Sequence, residues 1–207
     1  MDELIAELEK SGVLRSPPIT QALATVDRAD FVPENVRAYA YKDTALPIGF
    51  GQTISQPYTV VYMLERLQAQ SGNRVLEVGY GSCWATALLA KLVGPRGRIY
   101  AFEIVPELCA FGKQNIAKYP ALMHRAEMLC ESAESGYSDR APFDRIIAAA
   151  SLVEVPGEWR AQLASGGRMV YPKDGALFLE IKNADGSFSV QKFPGFAFVP
   201  FRRKIKR

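Results

Sequence analysis

Residues that commonly build metal centres are scarce in this chain. Its 207 residues include three cysteines and one histidine. Cys83, Cys109 and Cys130 form no CxxC pair, and His124 is not grouped with any of them, which excludes the usual spacing of a zinc site. We therefore expect no metal and three reduced, mostly packed thiols.

Long apolar runs are also missing. The longest, such as Ile146 to Ala150, fall far short of the ~20 residues that a membrane span needs. The N-terminal stretch MDELIAELEKSG is acidic and amphipathic, without the basic and apolar regions of a secretory signal. We expect a cytoplasmic protein that has no membrane partner.

The excess of positive charge is small. A net charge of +3 does not argue for a nucleic-acid partner. The one strong local bias is RRKIKR, from Arg202 to Arg207. This segment is either a solvated tail or a contact for an acidic partner or for nucleic-acid phosphates.

The order of apolar patterns predicts an α/β fold. Over residues 73–172, short β-branched runs alternate with helical patterns, as in a parallel, doubly wound sheet. The stretch ALFLEIKNADGSFSVQKF predicts a hairpin with Asp185-Gly186 at its turn, which adds an antiparallel edge. FAFVPF is a last strand candidate. The first ~60 residues predict a helical extension that does not repeat this unit.

A glycine-rich turn follows the first strand of this pattern. In RVLEVGYGSCW, Gly79 and Gly81 would allow a ligand to approach the backbone closely, next to the N-terminus of a helix. A dinucleotide site wants glycine or alanine at position 84, where this chain has Trp84. A site for S-adenosylmethionine (SAM) requires the pattern [D/E]-x-G-x-G-x-G. This chain departs from it only at the last glycine, where the small residue Cys83 is a milder change than Trp84 is in the dinucleotide pattern. The turn therefore favours SAM.

Two carboxylates support that interpretation. Glu77 ends the first strand, where it could lie near the cationic methionine portion of SAM. Glu103 ends the next strand, where a carboxylate accepts hydrogen bonds from ribose hydroxyls. The alternative is that both are solvated charges at strand ends.

The stretch LPIGFGQTISQPYTVV predicts a polar loop that leads directly into a helix. Two glycines, the Gln-Thr-Ile-Ser run and a proline are typical of a loop that holds a ligand. Thr53 and Ser55 could bind that ligand. They could also cap the helix that begins near Pro57, and both roles could hold at once.

Together these motifs resemble the protein-L-isoaspartate O-methyltransferase family over nearly the whole chain. GQTISQPY is the most specific of them, because general methyltransferases lack it. The matching segments are FVP at Phe31 to Pro33, AYKD.ALPIG.GQTISQPY.V at Ala40 to Val60, RVLEVG.GS at Arg74 to Ser82, APFD.II at Ala141 to Ile147, and QL..GGR.V.P at Gln162 to Pro172.

The resemblance implies a Rossmann-like SAM methyltransferase sheet and a reaction. A methyl group would pass from SAM to the free carboxylate of L-isoaspartyl, and possibly D-aspartyl, residues in damaged proteins or peptides, leaving S-adenosylhomocysteine (SAH). It implies one domain over residues 1–207, with the extension and substrate loop in 1–59 and the SAM-binding core in 60–207. We expect a monomer that does not bind nucleic acid.

The resemblance also assigns residues to roles. Ser55, with Thr53, would be catalytic. The rest of the residues 53–58 loop would contact substrate: Ile54, Gln56, Pro57 and Tyr58. The cofactor would contact Glu77, Gly79, Gly81, Ser82, Glu103, Ile104, Ser132 and Ala133. No general base is needed, because the nucleophile is a carboxylate already ionised at pH 7.

Three positions depart from the family pattern. Cys83 replaces a glycine, and its Cβ is expected to crowd the turn near the methionine end of SAM. Ser132-Ala133 replaces an Asp-Gly pair that reaches the adenine amino group, a loss of about 1–3 kcal/mol. Tyr58 replaces a histidine found in many members. The alternatives are a non-catalytic or weakly active binding protein with an altered SAM site, and a nucleic-acid methyltransferase that uses the basic tail.

Overall fold

The computed structural model describes residues 1–202, so all but the first residue of the RRKIKR tail lie outside the described residues. The helices are α1 (Asp2–Lys10), α2 (Pro17–Thr25), α3 (Pro57–Leu67), α4 (Trp84–Val93), α5 (Pro106–Ile116), α6 (Pro120–Met123) and α7 (Gly157–Gln162). The strands are β1 (Leu46–Gly49), β2 (Gln52–Ile54), β3 (Arg74–Val78), β4 (Arg98–Glu103), β5 (Ala126–Cys130), β6 (Phe143–Ala148), β7 (Leu163–Lys173), β8 (Ala176–Lys182) and β9 (Phe188–Pro194). Short 3-10 helices span Arg28–Phe31, Glu34–Tyr39 and Ser138–Arg140.

The main sheet confirms the predicted fold class. Its strand order is β5-β4-β3-β6-β7-β8-β9. The pairs from β5 to β7 are parallel, and β7-β8-β9 is antiparallel. From β3 the chain adds β4 and β5 on one side and then returns to place β6 on the other. The strand order therefore reverses at β3, where ligands bind in open α/β sheets.

Both faces of the sheet are covered. On one face α1 and α2 bury Leu4, Leu8 and Leu23 in the same apolar core as α3, α4 and Val75 of β3. On the other face a second core gathers around Phe143 and Trp159. The N-terminal helices thus share a core with the sheet, and the predicted division at residues 59 and 60 stays a prediction.

Two local predictions differ from the structure. The stretch predicted as a polar loop contains a two-stranded antiparallel hairpin, β1-β2, with Phe50 at its tip at a φ of 55°. The predicted FAFVPF strand is not formed, and the segment makes a single bridge between Ser151 and Pro200. Pairing of β9 stops at Gly195, whose φ of 94° turns the chain, and its N–H binds the Gly175 carbonyl. Pro200 has no N–H with which to extend a ladder.

The prediction of three reduced cysteines was wrong. Cys109 of α5 forms a disulfide with Cys130, the last residue of β5, 21 positions along the chain. Helix α5 crosses back beside β5, which brings the two Cα atoms to 5.8 Å. Spacing in the sequence carries no information about this distance. Cys83 is a buried free thiol.

No helix within residues 1–202 is long and apolar enough to cross a membrane.

We expect the double variant Cys109→Ala/Cys130→Ala to unfold more easily. Closing a loop of 21 residues restricts the unfolded chain, which stabilises the fold by about 3 kcal/mol. Urea unfolding at 25 °C without reductant measures this difference. Wild-type protein treated with reductant is the control and should behave like the double variant. Equal free energies of unfolding for oxidised wild type and double variant would contradict the prediction.

Candidate functional site

A cleft opens at the carboxyl ends of β3, β4, β5 and β6. The empty space within it is about 1060 Å³ with its open mouth included. The sheet contributes Glu77, Phe102, Glu103 and Ile147, and the hairpin β1-β2 covers it with Ile48 and Thr53. The lining also includes Gly79, Gly81, Ser82, Trp84, Ile104, Leu108, Glu131, Ser132 and Ala133. The structure therefore brings all the predicted cofactor residues to one cleft.

The turn after β3 is held in left-handed backbone conformations. Gly79 has a φ of 82° and Gly81 a φ of 47°. Cys83, the residue before α4, also has a positive φ, 69°. Left-handed backbone costs a non-glycine residue about 1–2 kcal/mol, so Cys83 is strained where glycine would not be.

The side chain of Cys83 does not enter the cleft. It is fully buried, with its Sγ 4.0 Å from the Sδ of Met128, and it is not among the lining residues. Gly112 of α5 makes room for it, since a Cβ there would lie 2.9 Å from the Cys83 Sγ and 2.6 Å from the Gly81 carbonyl oxygen. The expected crowding of the methionine end is therefore absent.

Glu103 is built into the turn. Its Oε2 accepts a hydrogen bond from the Gly81 N–H at 3.0 Å, and its Oε1 accepts from the N–H groups of Ile104 and Val105 at 2.8 and 2.9 Å. A carboxylate offers roughly four lone-pair positions, so about one is left for a ligand hydroxyl. Glu103 is thus a fixed acceptor and not a solvated charge.

Glu77 is the most perturbed acid of the cleft. Its side chain is buried, and its Oε2 has no hydrogen-bond partner among the described residues. Burial is the main cause that raises the pKa of Glu77 to about 7; the Thr86 hydroxyl opposes this rise, and the negative charge of Glu103 supports it. Glu77 also lines the cleft, and a buried carboxyl with an unused oxygen at a cleft is suited to a cationic ligand.

Ser132 and Ala133 lie in the segment after β5. The Ser132 Oγ accepts the Glu134 N–H at 3.3 Å, and the Ala133 carbonyl accepts the indole N–H of Trp159 at 2.8 Å. Both residues line the cleft, but neither brings a carboxylate. Glu131, which sequence reasoning missed, lines the cleft beside them.

Thr53 and Ser55 lie where the cleft meets a second groove. Both residues line both depressions. The groove continues past Asp43, Tyr58 and Tyr62, and residues 194–199 form its other wall. Gln56 lies in the groove, Ile54 is buried under the cleft, and Pro57 is the buried first residue of α3.

The alternative role of Ser55 and Thr53, capping of α3, is not found in the structure. Helix α3 has no side-chain cap from its own N-terminal residues. Instead Asp43 accepts the Tyr58 N–H at 2.7 Å through Oδ1 and the Gln56 Nε2 at 3.0 Å through Oδ2. The Ser55 and Thr53 side chains are therefore available to a ligand. Asp43 escaped sequence reasoning because it precedes the helix by 14 residues and no local pattern connects the two.

Arg202 and Arg28 are further cationic residues at the site that sequence reasoning did not identify. Arg202 lines the mouth of the cleft, and its Nη2 donates to the carbonyl of Phe50 at the hairpin tip at 3.3 Å. Arg28 lies behind the 53–58 loop and is fully buried. Within residues 1–202 no three His, Cys, Asp or Glu side chains are grouped so as to hold a metal ion.

Comparison with known proteins identifies similar chains. The model of the protein-L-isoaspartate(D-aspartate) O-methyltransferase (PCMT) family matches residues 1–206. A protein-L-isoaspartate O-methyltransferase of Methanopyrus kandleri is 39% identical over 203 residues, which cover 96% of this chain and 89% of the relative. One of Anaeromyxobacter dehalogenans is 42% identical over 205 residues, with 96% and 95% covered. In fold, the chain is similar to a Plasmodium falciparum protein-L-isoaspartate O-methyltransferase crystallised with SAH, with a TM-score of 0.88 at 23% identity and 98% of each chain covered.

We expect Asp43→Ala to destabilise the protein by about 1 kcal/mol, the usual cost of losing a side-chain cap at a helix N-terminus. Asp43→Asn is the matched control, because its amide oxygen can still accept the Tyr58 N–H. Thermal unfolding should rank the midpoints as wild type, then Asn, then Ala. An Ala variant as stable as the wild type would show that Asp43 does not hold the start of α3.

Proposed function

Because the chain belongs to the protein-L-isoaspartate(D-aspartate) O-methyltransferase family, we propose that it transfers a methyl group from SAM to the free carboxylate of L-isoaspartyl residues in damaged proteins. D-Aspartyl residues are a second substrate of the same kind. The observation that carries the proposal is the position of Ser55, which lines both the cleft and the groove.

The residues of the cleft fit SAM. When bound, SAM supplies an electrophilic methyl group on a positively charged sulfur. Glu77 presents an unpartnered, buried carboxylate oxygen that suits this charge, and Glu103 retains an acceptor position that suits a ribose hydroxyl. Gly79 and Gly81 line the cleft without a side chain, so a ligand can approach the backbone of the turn closely at these two positions. The proposed cofactor residues are therefore those predicted from the sequence, with Glu131 and Ala149 as further lining residues.

The groove fits a peptide that presents a carboxylate. Such a group is ionised at pH 7 and attacks without a base, so the protein has only to bind, orient and partly desolvate it. The Ser55 hydroxyl can donate to one carboxylate oxygen and leave the other free to attack. Thr53 lies beside it, and Tyr58 and Tyr62 give the groove an apolar wall along which flanking peptide residues can pack.

Of the two sequence changes that motivated a non-catalytic binding protein, Cys83 faces away from the cleft. Ser132-Ala133 remains as the support for that alternative. The other alternative, a nucleic-acid methyltransferase, depends on a tail that lies almost entirely outside the described residues. We propose a cytoplasmic monomer that does not bind nucleic acid, as expected from the sequence.

The direct test is methyl transfer from radiolabelled SAM to an isoaspartyl peptide. We expect turnover on this peptide and little transfer to the same peptide with a normal aspartyl residue. In the normal residue the reactive carboxylate is displaced by one methylene, and such misplacement removes the benefit of orientation. Absence of turnover above background at millimolar SAM would refute the proposed activity, and equal transfer to both peptides would refute the substrate.

We expect the affinity for SAM to depend on pH through Glu77. The free protein has a pKa of about 7 at this carboxyl, and a bound sulfonium favours its ionised form, so binding releases a proton below pH 7. Affinity should fall about tenfold from pH 8 to pH 6. Calorimetry measures it without turnover. SAH, whose sulfur is neutral, and the variant Glu77→Gln should both show a flatter profile. A slope for Glu77→Gln equal to that of the wild type would contradict this role.

A further inference from the structure

Arg28 is a charged side chain in the interior of the protein. It lies in the 3-10 helix Arg28–Phe31 and is completely buried. None of the ion pairs among the described residues includes it. Burial lowers the pKa of Arg28 to about 10, and the negative charge of Asp43 opposes this shift. A guanidinium is costly to bury, so the groups that it binds are informative about its role.

Arg28 binds three backbone carbonyls, two in residues 40–44 and one at Ser55. Its Nη1 donates to the Ala40 carbonyl at 2.7 Å. Its Nη2 donates to the carbonyls of Thr44 and Ser55, each at 3.0 Å. Of these three acceptors, Ser55 belongs to the 53–58 loop and has its side chain at the junction of cleft and groove. Arg28 therefore fixes the backbone that carries the Ser55 hydroxyl.

The same guanidinium contacts the cofactor side of the site. Its Cζ lies 5.2 Å from the centre of the Trp84 ring, within cation–π distance. Trp84 is the first residue of α4 and lines the cleft directly after the glycine turn. One side chain thus contacts both the loop expected to hold the substrate and the turn expected to hold SAM.

Asp43 holds the loop from its other end. It binds the Gln56 side chain and the Tyr58 N–H, while Arg28 binds the carbonyl of the preceding residue, Ser55. The peptide unit between Ser55 and Gln56 is therefore fixed on both sides by buried or half-buried charged groups. A loop whose only task was to turn the chain would not require two charged anchors.

We propose that Arg28 is a positioning residue for methyl transfer: its guanidinium sets the distance and direction of the Ser55 hydroxyl relative to the cofactor turn at Trp84. This inference rests on the proposed function and deepens it. Arg28 itself lines neither the cleft nor the groove, so it would act through Ser55. Lysine cannot replace it, because an ammonium lacks the planar fork that reaches the Ala40, Thr44 and Ser55 carbonyls together.

The first experiment compares Arg28→Lys and Arg28→Met with the wild type. We expect kcat for an isoaspartyl peptide to fall at least tenfold in Arg28→Lys and about a hundredfold in Arg28→Met, since misplacement of about 1 Å costs that much. The SAH dissociation constant, measured by calorimetry, should change by less than threefold. Thermal unfolding identifies a temperature at which each variant is folded. If Arg28→Met does not fold, Arg28→Lys alone carries the test.

A double-mutant cycle with Ser55→Ala identifies the route of the effect. If Arg28 acts through Ser55, Arg28→Lys should lower kcat by less than threefold in the Ser55→Ala background. The proposal would be overturned if Arg28→Lys lowered kcat by the same factor in the Ser55→Ala background as in the wild type. It would also be overturned if the Ser55→Ala variant were as active as the wild type. Loss of SAH affinity in parallel with kcat would also overturn it, because the effect would then arise on the cofactor side.

Phe31→Leu is the matched control. Phe31 belongs to the same short helix, is equally buried, and stacks on Tyr119 with ring centres 5.6 Å apart. We expect it to lose stability and to keep the kcat of the wild type. A fall in its kcat as large as that of Arg28→Lys would show that general loosening explains both. If the wild type itself is inactive, the proposed function fails; if it is active and Arg28→Lys equals it, only the inference on Arg28 fails.

Discussion

Parallel pairing of β3 with β4 on one side and with β6 on the other is the constraint on which the site depends. It aligns Val78 with Phe102 and with Ala148, so that three strands end at the same level. The chain has to turn sharply after β3 to enter α4, and glycines at 79 and 81 permit this. The cleft, its two buried glutamates and its glycine turn all follow from this shared edge.

Buried charge is concentrated around this edge. Glu77 and Glu103 lie on the sheet side of the cleft, and Arg28 lies behind the loop that closes it. Each would be costly to bury without partners. Backbone groups bind the carboxylate of Glu103 and both Nη atoms of Arg28, which offsets much of this cost and fixes the loops, while the Arg28 Nε has no partner among the described residues. Glu77 retains an unpaired oxygen and a raised pKa, as expected of a carboxyl that binds a cationic ligand.

The sequence was sufficient for the sheet because alternating strand and helix patterns admit few topologies. It was sufficient to predict that Glu77, Glu103 and the glycine turn share one cleft, because strand ends of a parallel sheet meet at one edge, but it missed Glu131 and Arg202. Contacts between segments far apart in the chain could not be predicted from the sequence. The Cys109–Cys130 disulfide, the cap from Asp43 and the three carbonyls bound by Arg28 each join residues whose spacing carries no signal. The Cys83 side chain was misjudged for a related reason, since a motif gives its position in the turn and not the space that Gly112 provides.

The central claim is that the altered turn still forms a working SAM site beside an intact 53–58 loop. Calorimetric titration of the wild-type protein with SAH tests this most directly, because it needs no substrate and no turnover. We expect saturable binding of one SAH per chain, with a dissociation constant that changes by less than threefold in Cys83→Gly, because the Cys83 side chain does not face the cleft. No binding by the wild type, together with restored binding in Cys83→Gly, would contradict it.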